Sequence, residues 1–141
     1  MSTNQINVVI PDKLSVSKHR QCCLYRLFKL GGCSYRYDSS AFLFSLVNKP
    51  GWQPLKLDQT GQYSHYRESI YSCSNYRPTF GGGHDIYIAD NAASNTNSFT
   101  NLGHTYGPPA GYSYTSSFSR SFLAGSYYFQ PHEVEVFYET T

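Results

Sequence analysis

The stretch Pro78-Thr79-Phe80-Gly81-Gly82-Gly83-His84-Asp85-Ile86-Tyr87-Ile88-Ala89-Asp90-Asn91 sets three consecutive glycines between an aromatic run and a short apolar alternation. Glycine enters backbone conformations closed to other residues and lets another group approach the main chain closely. Three in a row, followed at once by a β-like segment, predict a tight turn, a bulge, or a place where something lies directly on the main chain. Ile86 and Ile88 recur at period two and read as one strand. Ile70, Ser72, Ser74 and Tyr76, alternating with Tyr71, Cys73 and Asn75, read as another. The expected unit is a hairpin of residues 69–76 and 85–89 with a glycine connector.

Working outward, residues 41–47 (Ala-Phe-Leu-Phe-Ser-Leu-Val) are nearly all apolar and predict a strand buried on both faces. Asn48-Lys49-Pro50-Gly51 is a turn signal. Trp52, Leu55 and Leu57 resume a strand, and Pro54 among them suits a sheet edge. Residues 6–10 read as a short strand stopped by Pro11, and residues 98–104 are a candidate for another. Residues 133–139 alternate, with Val134, Val136 and Tyr138 on a core face and Glu133, Glu135, Phe137 and Glu139 opposite. Residues 34–40 read as a polar lead-in, while 112–120 suit a loop or an edge strand equally. Cys23, Leu24, Leu27, Phe28 and Leu30 recur at helical spacing and stop at Gly31-Gly32, which predicts a helix over residues 18–30. Short strands split by turn clusters predict a mostly β fold, an antiparallel two-sheet β-sandwich with one or two short peripheral helices.

At 141 residues the chain is long enough to bury a core, and its 17% aromatic content means that rings fill much of it. The formal charge is +2, with Lys and Arg concentrated before residue 40. Six separated cations (Lys13, Lys18, Arg20, Arg26, Lys29, Arg36) read as a solvated face, so neither a nucleic-acid partner nor membrane insertion is expected. The first seven residues are polar, and Val8-Val9-Ile10 falls far short of the apolar core of a signal peptide. As written, the chain reads as cytoplasmic; an upstream start with a leader would make it extracellular.

The candidate chemistry is sparse. Gly81-Gly82-Gly83 lacks the Lys-Ser/Thr of a phosphate loop and opens a strand. His84 and Asp85 are adjacent, so on a strand their side chains point to opposite faces and form no dyad. The five histidines show no metal spacing, and no cofactor is expected. Glu133, Glu135 and Glu139 read as a solvated face, not as paired acids. Tyr63, Tyr66, Tyr71 and Tyr76, with Arg67 and Arg77, have the composition of a stacking surface for sugar or single-stranded nucleic acid, though core and sheet surface account for most tyrosines. Cys22, Cys23, Cys33 and Cys73 read as free thiols, since they form no zinc-type pair. A Cys33–Cys73 disulfide would need an oxidising compartment. Arg20 and Arg26 beside Cys22-Cys23 leave a thiol-dependent, peroxide-consuming enzyme as one alternative.

Three motifs occur in an order and spacing that carry a resemblance: Ala41-Phe42-Leu43-Phe44-Ser45-Leu46, the Phe80-to-Ile88 hairpin, and Glu133-Val134-Glu135-Val136-Phe137. Over about residues 37–139 the chain resembles TLDc domains, the family of the oxidation resistance proteins, in its invertebrate variant. Residues 1–36 read as a divergent or truncated N-terminal segment, and residues 37–141 as the C-terminal part of the domain. The resemblance implies a sandwich of two antiparallel sheets with a few short helices. Its structural motif falls on Phe42, Phe44, Gly81, Gly82, Gly83, His84, Asp85, Glu133 and Glu135, and it brings no catalytic residue. It implies a non-catalytic protein-interaction domain linked to protection against oxidative stress and to binding of the vacuolar proton-pumping ATPase. The rival reading is an extracellular module that binds glycans or proteins.

Overall fold

The computed structural model describes residues 6–9, 32–39, 41–45, 50–60, 67–73, 76–114, 116–131 and 134–137, with 6–9 and 134–137 described by their backbone. The strands in chain order are β1 (Ile6–Val9), β2 (Ser34–Arg36), β3 (Phe42–Ser45), β4 (Leu55–Asp58), β5 (Ile70–Ser72), β6 (Thr79–Phe80), β7 (Ile86–Tyr87), β8 (Ser98–Thr100), β9 (Tyr128–Phe129) and β10 (Val134–Phe137). They form a four-stranded sheet in the order β10-β1-β3-β4 and a six-stranded sheet in the order β2-β5-β6-β7-β8-β9. Leu43 and Leu57 from the first sheet meet Ile70, Phe80, Ile86 and Phe129 from the second in one buried cluster. This is the expected β-sandwich, with one departure: β1 and β10 pair in parallel.

β4 lies at a sheet edge, as Pro54 suggested. β3 is only half as buried as its apolar run implied. Leu43 and Ser45 face the core, while Phe42 and Phe44 are half-buried on the other side. There the Phe42 ring takes the Lys56 ammonium at 4.7 Å from its centroid, a contact that shields part of the ring. The strand is there, and among the described residues the Lys56 ammonium meets the Phe42 ring on its second face.

The hairpin also differs from its reading. β5 ends at Ser72, and an additional two-residue strand, β6, intervenes before the glycines. The glycines therefore connect β6 to β7, with Phe80 paired to Ile86. Asp85 belongs to the connection and not to the strand. β2 was missed because all three of its residues are exposed and give no apolar alternation. It exists through its partner: Ser34, Tyr35 and Arg36 pair antiparallel with Ser72, Tyr71 and Ile70. That register puts Cys33 opposite Cys73, and the two are joined by a disulfide. The reading of both as free thiols is thus corrected.

Residues 112–120 are neither loop throughout nor strand, because Ser117–Ser121 form a short helix, α1. The Ser119 N–H donates to the Ser116 hydroxyl at 3.1 Å, an N-cap. Phe118 and Phe122, four residues apart, share one helix face. Both rings lie against Trp52, at 5.5 and 5.9 Å between centroids. The helix expected over residues 18–30 lies outside the described residues, as do His19, Cys22, Cys23, Tyr63, Tyr66, Glu133 and Glu139; the side chain of Glu135 is not described either. Among the described residues no helix is long and apolar enough to cross a membrane.

Candidate functional site

Segment 102–106 runs through the interior and belongs to no named strand, touching the end of β4 only through an isolated bridge between Gln59 and Tyr106. Leu102, Gly103, Thr105 and Tyr106 are all buried. Buried amides need acceptors, and Asp85 supplies them. Its carboxylate accepts the N–H groups of Gly103, His104, Thr105 and Tyr106 at 2.7, 2.8, 2.9 and 3.4 Å. Burial raises the carboxyl to about 6 even against the lowering pull of the four amides, which favour its ionised form. The same burial, with the Asp85 charge beside it, raises the Tyr106 phenol, whose O–H donates to the Ser69 carbonyl at 3.0 Å.

The glycines make room for this arrangement. The corner closes through the His84 N–H donating to the Gly81 carbonyl at 3.1 Å. Gly81 has φ +82°, and a Cβ there would stand 1.8 Å from an Asp85 carboxylate oxygen. A Cβ on Gly83 would stand 2.1 Å from the His104 ring. The Gly82 N–H donates to the Thr105 hydroxyl at 2.9 Å. The triplet is thus both a turn and a surface on which other groups lie, and those groups are the chain's own. Gly81→Ala is expected to cost about 3 kcal/mol, combining the left-handed backbone with the clash. Gly51→Ala, also at positive φ but in open space, should cost only about 1–2 kcal/mol. Urea unfolding of the two variants checks the difference, and equal costs would mean that the Asp85 clash is relieved freely.

His84 leaves the corner in the other direction, with φ +57°. Its ring enters an aromatic row on the outer face of the six-stranded sheet. In register across the strands stand Tyr35, Tyr71, Thr79, Tyr87, Phe99 and Tyr128. Each sits at the strand position opposite the core residues, as period two demands. Tyr35 and Tyr71 are 4.9 Å apart between centroids, Tyr87 and Phe99 5.2 Å, and Phe99 and Tyr128 6.3 Å. Thr79 breaks the row, and two rings from connections bridge the gap. Tyr76 reaches Tyr71 at 5.2 Å and Tyr87 at 6.1 Å, and His84 reaches the same two at 5.5 and 6.4 Å. Tyr127 extends the row by stacking on Phe99 at 5.7 Å. Tyr35, Tyr76 and Tyr128 are exposed, and the others are half-buried against them. Burial holds the His84 imidazole below its ordinary value, which favours its neutral form.

Of the residues singled out from sequence, the fold brings Tyr71, Tyr76 and His84 together. It separates His84 from Asp85 as anticipated, but by the corner and not by a strand. Phe42 and Phe44 lie on the other sheet. Arg77 is paired with Asp90 and does not serve the row. Tyr35, Tyr87, Phe99, Tyr127 and Tyr128 were missed. Their signal was a ring at alternate positions in several short segments, which carries no meaning until the register is known. Among the described residues no three His, Cys, Asp or Glu side chains are grouped as metal ligands. A cleft of about 860 Å³ beside α1 is lined by Pro50, Phe118, Arg120, Phe122 and Tyr127. The Arg120 guanidinium lies 5.4 Å from the Tyr127 centroid, at the end of the row.

Neither a curated protein nor a solved structure matches the chain. The family model described as TLDc domain matches residues 28–139.

Proposed function

The chain belongs to the TLDc domain family, and on that premise we propose that it is a non-catalytic protein-interaction domain whose contact surface is the aromatic row. The observation that supports this reading is the row itself: eight rings, several exposed, crossing a whole sheet face. Tyrosine and phenylalanine are enriched at interfaces and dominate their energetics, and a tyrosine offers apolar area together with a hydroxyl. The partner we propose, carried from the family resemblance, is the vacuolar proton-pumping ATPase, in the setting of protection against oxidative stress.

The test uses Tyr76→Ser and Tyr128→Ser, substitutions of exposed rings that leave the Asp85 network intact. Together they should weaken binding to purified ATPase subunits at least tenfold, a loss of about 1.4 kcal/mol. Stability in urea should change by less than about 1 kcal/mol. Undiminished binding by the variant would remove the row from the reading, and no binding by the wild type would remove this partner.

A second reading, the extracellular glycan- or protein-binding module, is favoured by one observation, the Cys33–Cys73 disulfide. Such bonds persist in oxidising compartments and are rare in the cytosol. Determining the thiol state of protein taken from its native source separates the two readings.

A further inference from the structure

Resting on the protein-interaction reading, we infer that the aromatic row takes an uncharged, proline-rich peptide in the polyproline II conformation, laid across the strands from Tyr35 to Tyr128.

The shape of the row favours this occupant. A flat platform for sugar rings needs aromatic planes that share one orientation. Here neighbouring planes meet at 48° (Tyr35 and Tyr71), 89° (Tyr71 and Tyr76), 72° (Tyr76 and Tyr87) and 73° (Phe99 and Tyr128), and only around Phe99 do they approach one orientation, at 32° to Tyr87 and 16° to Tyr127. Tilted rings present an uneven surface of edges and faces, against which pyrrolidine rings pack. Aromatic-lined surfaces are the common receptor for this conformation.

The spacing agrees. Polyproline II repeats every three residues, about 9 Å. Two strand spacings come to about 9.6 Å. Every third peptide residue therefore meets an equivalent part of every second strand. The five spacings from β2 to β9 span about 24 Å, the length of about eight residues in that conformation.

Hydrogen bonding agrees as well. A polyproline II chain has no internal hydrogen bonds, and a run of prolines offers carbonyl acceptors and no N–H. The row offers phenol donors. It is a sheet face and not an edge, so strand addition to it is excluded.

Charge supplies a direction. Tyrosine and phenylalanine carry no formal charge, and burial disfavours a charge on His84, which suits an uncharged peptide core. At one end Glu68 lies near enough to Tyr35 to help raise its phenol, after burial. At the other end stands the Arg120 guanidinium over Tyr127. A peptide with a basic flank toward Tyr35 and an acidic flank toward Tyr127 complements both ends.

The experiment is a titration of the chain with a synthetic ten-proline peptide, read by calorimetry and by amide shifts in β5, β7, β8 and β9. Two further peptides carry Lys at one end and Glu at the other, in either order. Binding should shift those amides, one charged order should exceed the other at least threefold, and Tyr76→Ser with Tyr128→Ser should weaken binding at least tenfold. Tyr76→Phe, which keeps the ring, should stay within about threefold of wild type, less than the tenfold that 1.4 kcal/mol represents. No binding up to about 1 mM, a standard free energy of only about −4 kcal/mol, would overturn the inference. So would binding that both serine substitutions leave unchanged, equal binding of the two charged orders, or a neutral hexasaccharide that binds this face where the peptide does not. If the peptide fails while the two serine substitutions still abolish binding to ATPase subunits, the interaction reading stands and only the peptide chemistry falls.

Discussion

Asp85→Asn should lower the unfolding free energy by about 4 kcal/mol, because two buried amides lose their acceptor and the remaining hydrogen bonds lose their charge. The carboxylate now accepts four backbone N–H groups of residues 103–106 through two oxygens. Asparagine keeps one oxygen and turns an NH₂ toward the other donors. Each orphaned buried donor costs about 1–3 kcal/mol, and a domain of this size has only about 5–15 kcal/mol in all. The measurement is urea unfolding followed through the single tryptophan, Trp52, which lies among Tyr112, Phe118 and Phe122. Hydrogen exchange should show protection lost first at the amides of residues 103–106. A change below about 1 kcal/mol would mean that water or another group already serves these donors. The clash at Gly81 involves the same carboxylate, so Gly81→Ala combined with Asp85→Asn should cost less than the sum of the two.

Reduction of the Cys33–Cys73 disulfide should cost about 4 kcal/mol, the chain-entropy value for a loop of this length. The two cysteines are 40 residues apart. The loop they close contains β3 and β4, so the bond restricts an unfolded chain that would otherwise separate β2 from β5 widely. In the folded state β2 is exposed and lies at the sheet edge. It is held by its ladder to β5, by the Tyr35 ring against Tyr71, and by the Tyr35 O–H donating to the Gly82 carbonyl at 3.3 Å. Urea midpoints with and without dithiothreitol measure the effect, and Cys33→Ser should match the reduced wild type. Equal midpoints, or two titratable thiols in the purified native protein, would remove the bond from the stability of the fold.

Much of the sheet content was legible because the period-two alternation is local. β1, β8 and β10 each fall within a segment read as a strand, β4 overlaps one, and the glycine triplet was rightly read as a corner. β2 was invisible because an exposed three-residue strand owes its existence to its partner. α1 was ambiguous because its serines suit turns, caps and strands alike, and the i,i+4 pair Phe118 and Phe122 gains meaning only against Trp52. Cys33 and Cys73 were read as free thiols because nothing local brings them together, and only the β2–β5 register puts them opposite each other.

By itself the sequence determined that the chain is mostly β, that three glycines mark a corner between strands, and which family the motifs resemble. The first two follow from propensity and spacing over a few residues, where backbone sterics and side-chain alternation act locally, and the third from the likeness of three motifs to a known family. The tertiary structure alone decided what the corner holds and what the sheet displays. Asp85 finds its amides 18 to 21 residues further along the chain, and the aromatic row takes its members from five strands and three connections. Both depend on register, a long-range choice made by core packing: a one-residue slip would send every ring of a strand from the solvent face to the interior.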